Sequence, residues 1–129
     1  MAKKMTAAQK KAAAEARAAR ATERRMEVLR ANMRKAIAHP ARMTAMRLFA
    51  PLPVDGAEDE WEFPLVSPKE LAKVMNLPLP NVSYHTKILR ELGIIELKKT
   101  TPRRGAVEHH YSLVPEVRPL ADAALVLLG

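Results

Sequence analysis

The stretch that decides the fold reads LPLPNVSYHTKILRELGIIEL and covers residues 77–97. Within it, four side chains recur at the three- and four-residue spacing of one helix face: Val82, His85, Leu89 and Leu92. Such a stripe predicts a helix with one packed face and one polar face. Gly93 stands where helices commonly end in a left-handed residue, and residues 94–97 carry the β-branched side chains of a strand. The segment is therefore predicted to be a helix that ends near Leu92 and leads into a strand.

A shorter helix is predicted directly upstream. Ser67 is a natural N-cap, Pro68 suits the first helical position and Glu70 completes a capping box. This helix, residues 67–75, would have about two turns, and only residues 76–78 separate it from the next one. Two helices joined by so tight a turn are typical of the helix-turn-helix motif, in which the second helix enters the DNA major groove.

The strand is followed by a basic, turn-rich segment, residues 98–106. Beyond it, inward and outward positions alternate along residues 107–114, with Val107, His109, Tyr111 and Leu113 on one side. This alternation predicts a half-buried strand. The two strands would form a hairpin with a basic tip, which we call the wing.

Three further helices are predicted around this unit. Residues 6–36 are dominated by strong helix formers, with an apolar stripe made by Met26, Leu29, Met33 and Ile37. Residues 24–38 should therefore pack on the rest of the domain 24–129 or across a dimer. The extension 1–23 is expected to be partly helical or disordered, and residues 1–20 should fray alone. Pro40 begins a helix that runs to Ala50. Residues 115–129 are predicted to form the last helix, which Pro119 either starts or kinks. One face of this helix is apolar and consists of Val117, Leu120, Ala121, Ala124 and Leu128.

In these pieces and their order, residues from about 26 to 128 resemble the ArsR-type winged helix-turn-helix regulators. The matching segments are His39-Pro40-Ala41-Arg42, the helix 67–75, Val82-Ser83-Tyr84-His85 followed by Leu89-Arg90-Glu91-Leu92-Gly93, and a wing ending in His110-Tyr111. The fold class is thus expected to be mainly α with a small β-hairpin, a winged helix-turn-helix with an N-terminal helical extension. The resemblance implies a homodimer, with the last helix joining the N-terminal helix in the interface and each recognition helix in one major groove of a near-palindromic site. Pro78 and Pro80 depart from the family pattern, which is richer in hydroxyls and amides there.

Charge is concentrated at one end of the chain. The net charge is +8, and residues 1–35 hold 11 Lys and Arg against 3 Glu, an excess of 11 − 3 = 8. Residues 36–129 balance 11 cations with 11 acids. A basic excess favours an anionic partner, usually nucleic acid. The extension is therefore either an arm that lies on phosphates or a solvated helix.

The connection formed by residues 51–66 is longer than most loops in compact domains and carries five acids and no cation. It departs from the compact family pattern. It is either a solvated loop with Trp61 and Phe63 against the core, or a contact site for a protein partner or the basic tail.

No chemistry of catalysis or sensing is apparent. The chain has no Cys, which excludes thiolate metal sensing and disulfide switching. His39, His85, His109 and His110 show no helical ligand spacing, and the last two point to opposite faces of a strand. There is no Gly-rich phosphate loop and no recognisable nucleophile with its base. We therefore expect no enzyme activity, no cofactor and no metal, although a dimer could assemble a site from two chains.

The sequence predicts a sequence-specific DNA-binding transcriptional regulator, a homodimeric repressor that blocks polymerase from two half-sites about one helical turn apart. Its DNA contacts would be Asn81, Ser83, Tyr84, His85, Lys87, Lys98, Lys99, Arg103 and Arg104, with Asn81 reading a base. One alternative is a non-specific DNA-binding protein that uses the basic arm, and another is a winged-helix module that binds a protein through the acidic loop 55–62. The longest apolar run is too short for a membrane span, and the Arg-rich start lacks the Ser of a presequence, so a cytoplasmic, nucleoid-associated protein is expected.

Overall fold

The computed structural model describes residues 4–128, except for the side chain of residue 128. Its elements are α1 (Ala7–Ile37), α2 (Pro40–Phe49), β1 (Leu52–Pro53), β2 (Trp61–Glu62), α3 (Pro68–Met75), α4 (Leu79–Glu91), β3 (Ile95–Arg103), β4 (Ala106–Leu113), a short 3-10 helix (Pro115–Val117) and α5 (Arg118–Leu128). The predicted class, mainly helical with one small β-hairpin wing, is confirmed. The outermost residues of the predicted segments 1–23 and 24–129 fall outside the described range.

Helix α1 covers nearly the whole of the segment 6–36 in which the sequence predicted helix. It starts at a full capping box, in which Thr6 and Gln9 bond each other's backbone N–H, and continues for 31 residues. The cap and the alanine-rich composition both favour helix from residue 7 onward, and whether residues 1–20 fray stays a prediction. Packing against the core starts at Met26, and the predicted boundary at residue 23, which lies inside this helix, also stays a prediction. None of the described helices combines the length and the apolarity that a membrane crossing needs.

The helix-turn-helix forms as predicted, with local signals at each end. The Ser67 hydroxyl accepts the N–H of Glu70, and the Glu70 carboxylate bonds that hydroxyl rather than the backbone N–H of a full capping box. Helix α3 ends at Asn76, which is left-handed with φ 53°. Residues 76–78 then turn the chain into α4. The predicted two-turn helix and its tight connection are confirmed.

The end of α4 is fixed by a Schellman motif. Gly93 has φ 74° and donates to the carbonyl of Arg90, and the N–H of Ile94 reaches the carbonyl of Leu89, each at 3.0 Å. From α1, the Asn32 amide donates to the carbonyl of Leu92 at 3.0 Å. These bonds satisfy the last carbonyls of α4 and hold its end against α1.

The core collects side chains from every helix and from the base of the wing. The largest fully buried ones are Phe49, Met46, Leu71, Leu89, Ile94, Ile95, Leu113, Val82 and Val117. Helix α2 starts at Pro40 as predicted, and α5 carries Pro119 in its first turn, so that proline starts the helix rather than kinking it. Ala121 and Ala124 of α5 are buried, as the predicted face requires. Arg25 of α1 is ion-paired with Glu116, which ties the long helix to the segment before α5.

The wing is longer than predicted and its lysines are not at the tip. Strand β3 extends from Ile95 through Arg103, so the segment 98–103 is strand rather than turn. Only Arg104 and Gly105 turn the chain, with Gly105 at φ 69°. The β-branched Thr100 and Thr101 favour strand, and an edge strand tolerates the proline beside them. The half-buried strand is confirmed only near the domain, since Tyr111 and Leu113 are buried but Val107 is 55% exposed.

The acidic connection folds into a small hairpin of β1 and β2, in which Leu52 pairs with Glu62 and Pro53 with Trp61. Phe63 packs against the core, and the Arg118 guanidinium lies 4.2 Å from the centre of the Trp61 ring. The five acids are all exposed: Asp55, Glu58, Asp59, Glu60 and Glu62. The segment is thus a solvated loop anchored by its aromatic residues, and whether it contacts a partner or the basic tail stays a prediction.

Candidate nucleic-acid interface

Helix α4 presents a polar face because its apolar face is fully used by the core. Val82, Thr86 and Leu89 are at most 4% exposed. With 3.6 residues per turn, the positions between them must face outward. The outward side chains include four of the predicted contacts: Asn81, Ser83, Tyr84 and Lys87. Tyr84 is 57% exposed, and its ring lies edge-on to that of His85, with the ring centres 5.3 Å apart.

These outward side chains are largely available for binding. Among the residues that the structure describes, Asn81, Ser83 and Tyr84 make no side-chain hydrogen bond. The Lys87 ammonium lies 3.9 Å from the Glu91 carboxylate, an exposed pair of little strength. Asn81 is the third residue of α4, near the helix start, where recognition helices touch base edges.

His85 lies at the edge of this face and is only half exposed. Its Nδ1 atom is 3.3 Å from an Nη atom of Arg42, and its ring centre is 4.3 Å from that of His39. Burial lowers the pKa of His85 below its usual value, and the neighbouring His39 and Arg42 lower that pKa further. A neutral imidazole is therefore favoured at this position in the folded protein.

Arg42 of α2 contacts both α1 and α4 behind the outward face of α4. Its guanidinium donates to the carbonyl of Ala36 at 3.0 Å and to that of Lys35 at 3.2 Å. These bonds give a hydrogen-bond donor to carbonyls in the last turn of α1. The same side chain contacts His85 on α4. His39 in turn caps α2, since its Nδ1 accepts the N–H of Ala41 at 3.0 Å. The predicted flanking role of His39 is confirmed, and its contact with His85 adds a second one.

A cleft of about 440 Å³ separates α4 from the wing. Its walls include an apolar part made by Leu79, Val107 and Tyr111. Four cations from three elements also line it: Lys69 of α3, Lys87 and Arg90 of α4, and Arg103 of β3. The cleft therefore joins the outward face of α4 to the wing in one continuous, positively charged surface.

The predicted wing cations divide into two groups. Arg103 and Arg104 lie at the exposed tip, where the Nε atom of Arg103 donates to Glu108 at 2.8 Å. Lys98 and Lys99 lie in the body of β3 at a bulge, and Lys98 is paired with Glu96 at 2.9 Å. The structure thus brings Ser83, Lys87 and Arg103 together around the cleft, and leaves both lysines of β3 outside its lining.

The sequence reasoning missed two cations and one carboxylate pair. Lys69 and Arg90 line the cleft, and Arg90 could have been found from its three-residue spacing to Lys87 on one helix face. Hydrogen bonding from the Arg103 guanidinium lowers the pKa of Glu108, so a charged carboxylate lines the cleft among its cations. Glu108 also lies close to Glu70 and His110, a group that no sequence spacing could reveal.

Comparison with known proteins identifies the fold. No protein-family model matches the sequence, and no curated protein matches it. Among solved structures, the chain is similar to HlyU from Vibrio cholerae N16961, with a TM-score of 0.56 and 19% identity over 79% of this chain and 94% of that one. Rv0081 from M. tuberculosis gives a TM-score of 0.55 and 24% identity over 80% of this chain and 88% of the other.

A third neighbour is Mb0332 from Mycobacterium bovis. Its solved fragment is a homodimeric winged helix-turn-helix DNA-binding domain, described as a possible ArsR-family transcriptional regulator. The TM-score is 0.57 and the identity 18%, over 98% of this chain and 89% of that chain. At these identities the likeness establishes a shared winged helix-turn-helix fold, the fold that the sequence predicted.

The environment of His85 generates a prediction about stability and pH. The unfolded histidine titrates near 6.5, and in the folded protein its pKa is lower. As the pH falls below that value, the unfolded state takes up the proton first, so the free energy of unfolding decreases. Wild type should therefore lose more stability than His85→Gln between about pH 7.5 and about pH 5, as measured by urea unfolding at both pH values.

The exposed His109 of the wing supplies the control, since His109→Gln should keep the wild-type pH dependence. If His85→Gln loses as much stability on acidification as wild type, the assigned environment of His85 is wrong.

Proposed function

We propose that this protein is a DNA-binding transcriptional regulator that acts without catalysis. The observation that carries the proposal is the outward face of α4, whose amide, hydroxyl and phenol groups are exposed beside a cleft lined by cations of α3, α4 and β3. Hydrogen-bonding groups on a projecting helix suit the base edges of a major groove, and flanking cations suit the phosphates on either side. The DNA-binding domain of Mb0332, which shares the fold, supports the same function.

The proposed contacts follow from where each side chain lies. Asn81 would read a base, because its amide can pair with both edge atoms of an adenine. Ser83, Tyr84 and Lys87 lie on the same face and would contact bases or phosphates. At the wing, Arg103 and Arg104 would reach phosphates or the minor groove. To these we add Lys69 and Arg90, which share the cleft.

The roles of the remaining predicted residues are secondary. His85 is half buried and held by Arg42, so we propose that it positions α4 as much as it contacts DNA. Lys98 and Lys99 lie in the body of β3 and would contribute only through longer-range attraction. Bound at a promoter, such a protein would act as a repressor by blocking polymerase.

Two substitutions separate base reading from phosphate contact. On a duplex selected in vitro from a random library, Asn81→Ala should cost about 1–3 kcal/mol, with little change on a scrambled duplex. Lys87→Ala should weaken binding to both duplexes alike and reduce the slope of log affinity against log salt by about 1. Fluorescence anisotropy titrations at several salt concentrations measure both. Equal losses on the two duplexes for Asn81→Ala would contradict base reading.

A homodimer is supported by apolar side chains left uncovered on the terminal helices. Val126 and Leu127 of α5 are 82% and 83% exposed, and Val28 of α1 is 58% exposed. Helices α1 and α5 pack against each other within the chain. Since exposed apolar side chains in one region commonly mark an interface, we propose that these two helices meet their copies in a dimer. The solved fragment of Mb0332 is a homodimer.

The dimer surface can be tested with one substitution and a matched control. Leu127→Asp should convert a species of twice the chain mass into a monomer, because a buried, unpaired carboxylate is strongly disfavoured. Leu52→Asp carries the same change at a leucine of β1 that is 64% exposed, and should stay dimeric. Light scattering after gel filtration measures both masses. A monomeric wild type, or a Leu127→Asp protein with unchanged mass, would disprove the proposed interface.

A second contribution to DNA binding is favoured by the form of α1. From Ala7 to Arg25 this helix is exposed almost throughout, and this segment holds six cations against two Glu, an excess of 6 − 2 = 4 positive charges. Its regular, capped helix presents cations at fixed spacing rather than on a loose tail. We propose that this arm lies on phosphates and adds affinity that is independent of sequence.

Neutralising the arm tests this contribution without shortening the helix. Replacing Lys10, Lys11, Arg17 and Arg20 with Gln keeps good helix formers at four exposed positions. The slope of log affinity against log salt should become shallower by about 0.9 for each phosphate that the arm no longer neutralises, equally on selected and scrambled duplexes. Circular dichroism should show unchanged helix content. An unchanged slope would show that the arm is only a solvated extension.

A further inference from the structure

Three potential metal ligands meet where the wing joins the helix-turn-helix. Glu70 lies in the first turn of α3, and Glu108 and His110 lie on β4. One ligand atom from each of the three side chains falls within 4.8 Å of the other two. Glu70 is exposed, whereas Glu108 and His110 are half buried, so the group is open to solvent on one side.

The imidazole of His110 is already oriented for metal binding. Its Nε2 atom lies 3.1 Å from the hydroxyl of Thr101 on the paired strand, and its Nδ1 atom lies 3.9 Å from a carboxylate oxygen of Glu70. With the Nε2 proton donated to Thr101, the lone pair of Nδ1 faces the two carboxylates. Metal-binding histidines characteristically hold their second nitrogen in such a hydrogen bond.

Both carboxylates are held by partners outside the group. The Ser67 hydroxyl donates to Glu70 at 3.2 Å, and the Nε atom of Arg103 donates to Oε2 of Glu108 at 2.8 Å. Each carboxylate keeps acceptor capacity beyond that bond, since an ionised carboxylate has about four lone-pair sites. Two carboxylates brought this close repel each other, and the Arg103 guanidinium bound to Glu108 offsets part of that repulsion.

We propose that Glu70, Glu108 and His110 form a binding site for a divalent cation of the zinc class. One imidazole nitrogen and two carboxylate oxygens suit Zn²⁺, whereas Ca²⁺ requires six or more oxygens. Ligand bonds of about 2.0–2.2 Å require the three atoms to approach by about an ångström, which the exposed Glu70 side chain can supply by changing rotamer. Water would complete the fourth position.

Such a site would join the wing to α3. Its ligands come from the helix before the recognition helix and from the strand that carries the wing back to the core. A bound cation would therefore fix the wing relative to the helix-turn-helix, and it would compete with Arg103 for the charge of Glu108. The inference does not rest on DNA binding, because metal affinity is measured in the absence of nucleic acid.

The test is calorimetric titration of ZnCl₂ into the full-length, metal-free protein. Wild type should bind one zinc per chain, and Glu70→Gln and His110→Ala should each weaken that binding at least about tenfold, the usual loss on altering a metal site. Two control variants carry the same types of substitution outside the proposed site. They are Glu62→Gln on β2, and His109→Ala, one residue from His110 on the opposite face of β4. Both controls should bind zinc as wild type does. With Co²⁺ in place of zinc, wild type and both controls should show the visible absorption of a tetrahedral site, and Glu70→Gln and His110→Ala should lose it.

Two results would overturn the proposal. If wild type takes up no zinc, Glu70, Glu108 and His110 do not form a metal site. If His109→Ala and His110→Ala bind zinc equally, the cation lies elsewhere. Should His110→Ala lose its fold by circular dichroism, Glu70→Gln decides alone, since its side chain is 54% exposed and its removal leaves the core intact.

Discussion

The burial of one face of α4 is the constraint on which the rest of the molecule depends. Val82, Thr86 and Leu89 are buried in the core, and the hydroxyl of Thr86 donates a hydrogen bond to the carbonyl of Val82 at 2.8 Å. A slip of one residue in this stripe would rotate the helix by about 100° and carry its polar face into the core. The same packing that stabilises the domain therefore decides which side chains can meet a ligand. The core-facing positions of this short segment thus stabilise the domain, and its outward positions are the ones proposed to recognise DNA.

The ends of α4 are held as firmly as its face. At the start, residues 76–78 turn the chain sharply from α3, and at the end the left-handed Gly93 reverses it into the wing. From behind, Arg42 and Asn32 reach α4 from two other helices. A recognition helix has to keep its orientation while it binds, and here that orientation is fixed by hydrogen bonds as well as by apolar packing.

Electrostatics on the proposed DNA face are finely balanced. Beyond residue 35 the charges cancel, and several cations of the face already have acidic neighbours, among them Lys87 with Glu91 and Arg103 with Glu108. The Lys87–Glu91 pair is exposed and therefore weak, so a phosphate can replace the Glu91 carboxylate at small cost. In the proposed function, the surplus charge on α1 would supply attraction to DNA that the neutral domain lacks, and the outward face of α4 would supply recognition.

The sequence predicted those features of the fold that depend on residues close together in the chain. The N-cap at Ser67, the left-handed end at Gly93 and the stripe of α4 each depend on neighbouring residues, and each was predicted correctly. The length of the wing depends on how the two strands pair, which places Lys98 in a bulge of β3. Contacts between distant elements, such as Arg42 with His85, leave no trace in local spacing. The DNA contacts themselves stay predictions, because the fold positions side chains without naming what they bind.

The most direct test of the central claim is a nitrogen–proton correlation spectrum of the labelled protein, recorded while a selected DNA duplex is added. If the outward face of α4 and the wing form the interface, the largest shifts should fall on Asn81, Ser83, Tyr84 and Lys87 and at the wing tip around Arg104. The acidic loop should remain unchanged. Shifts confined to α1, with α4 and the wing unaffected, would contradict the account and leave the basic arm as the DNA contact.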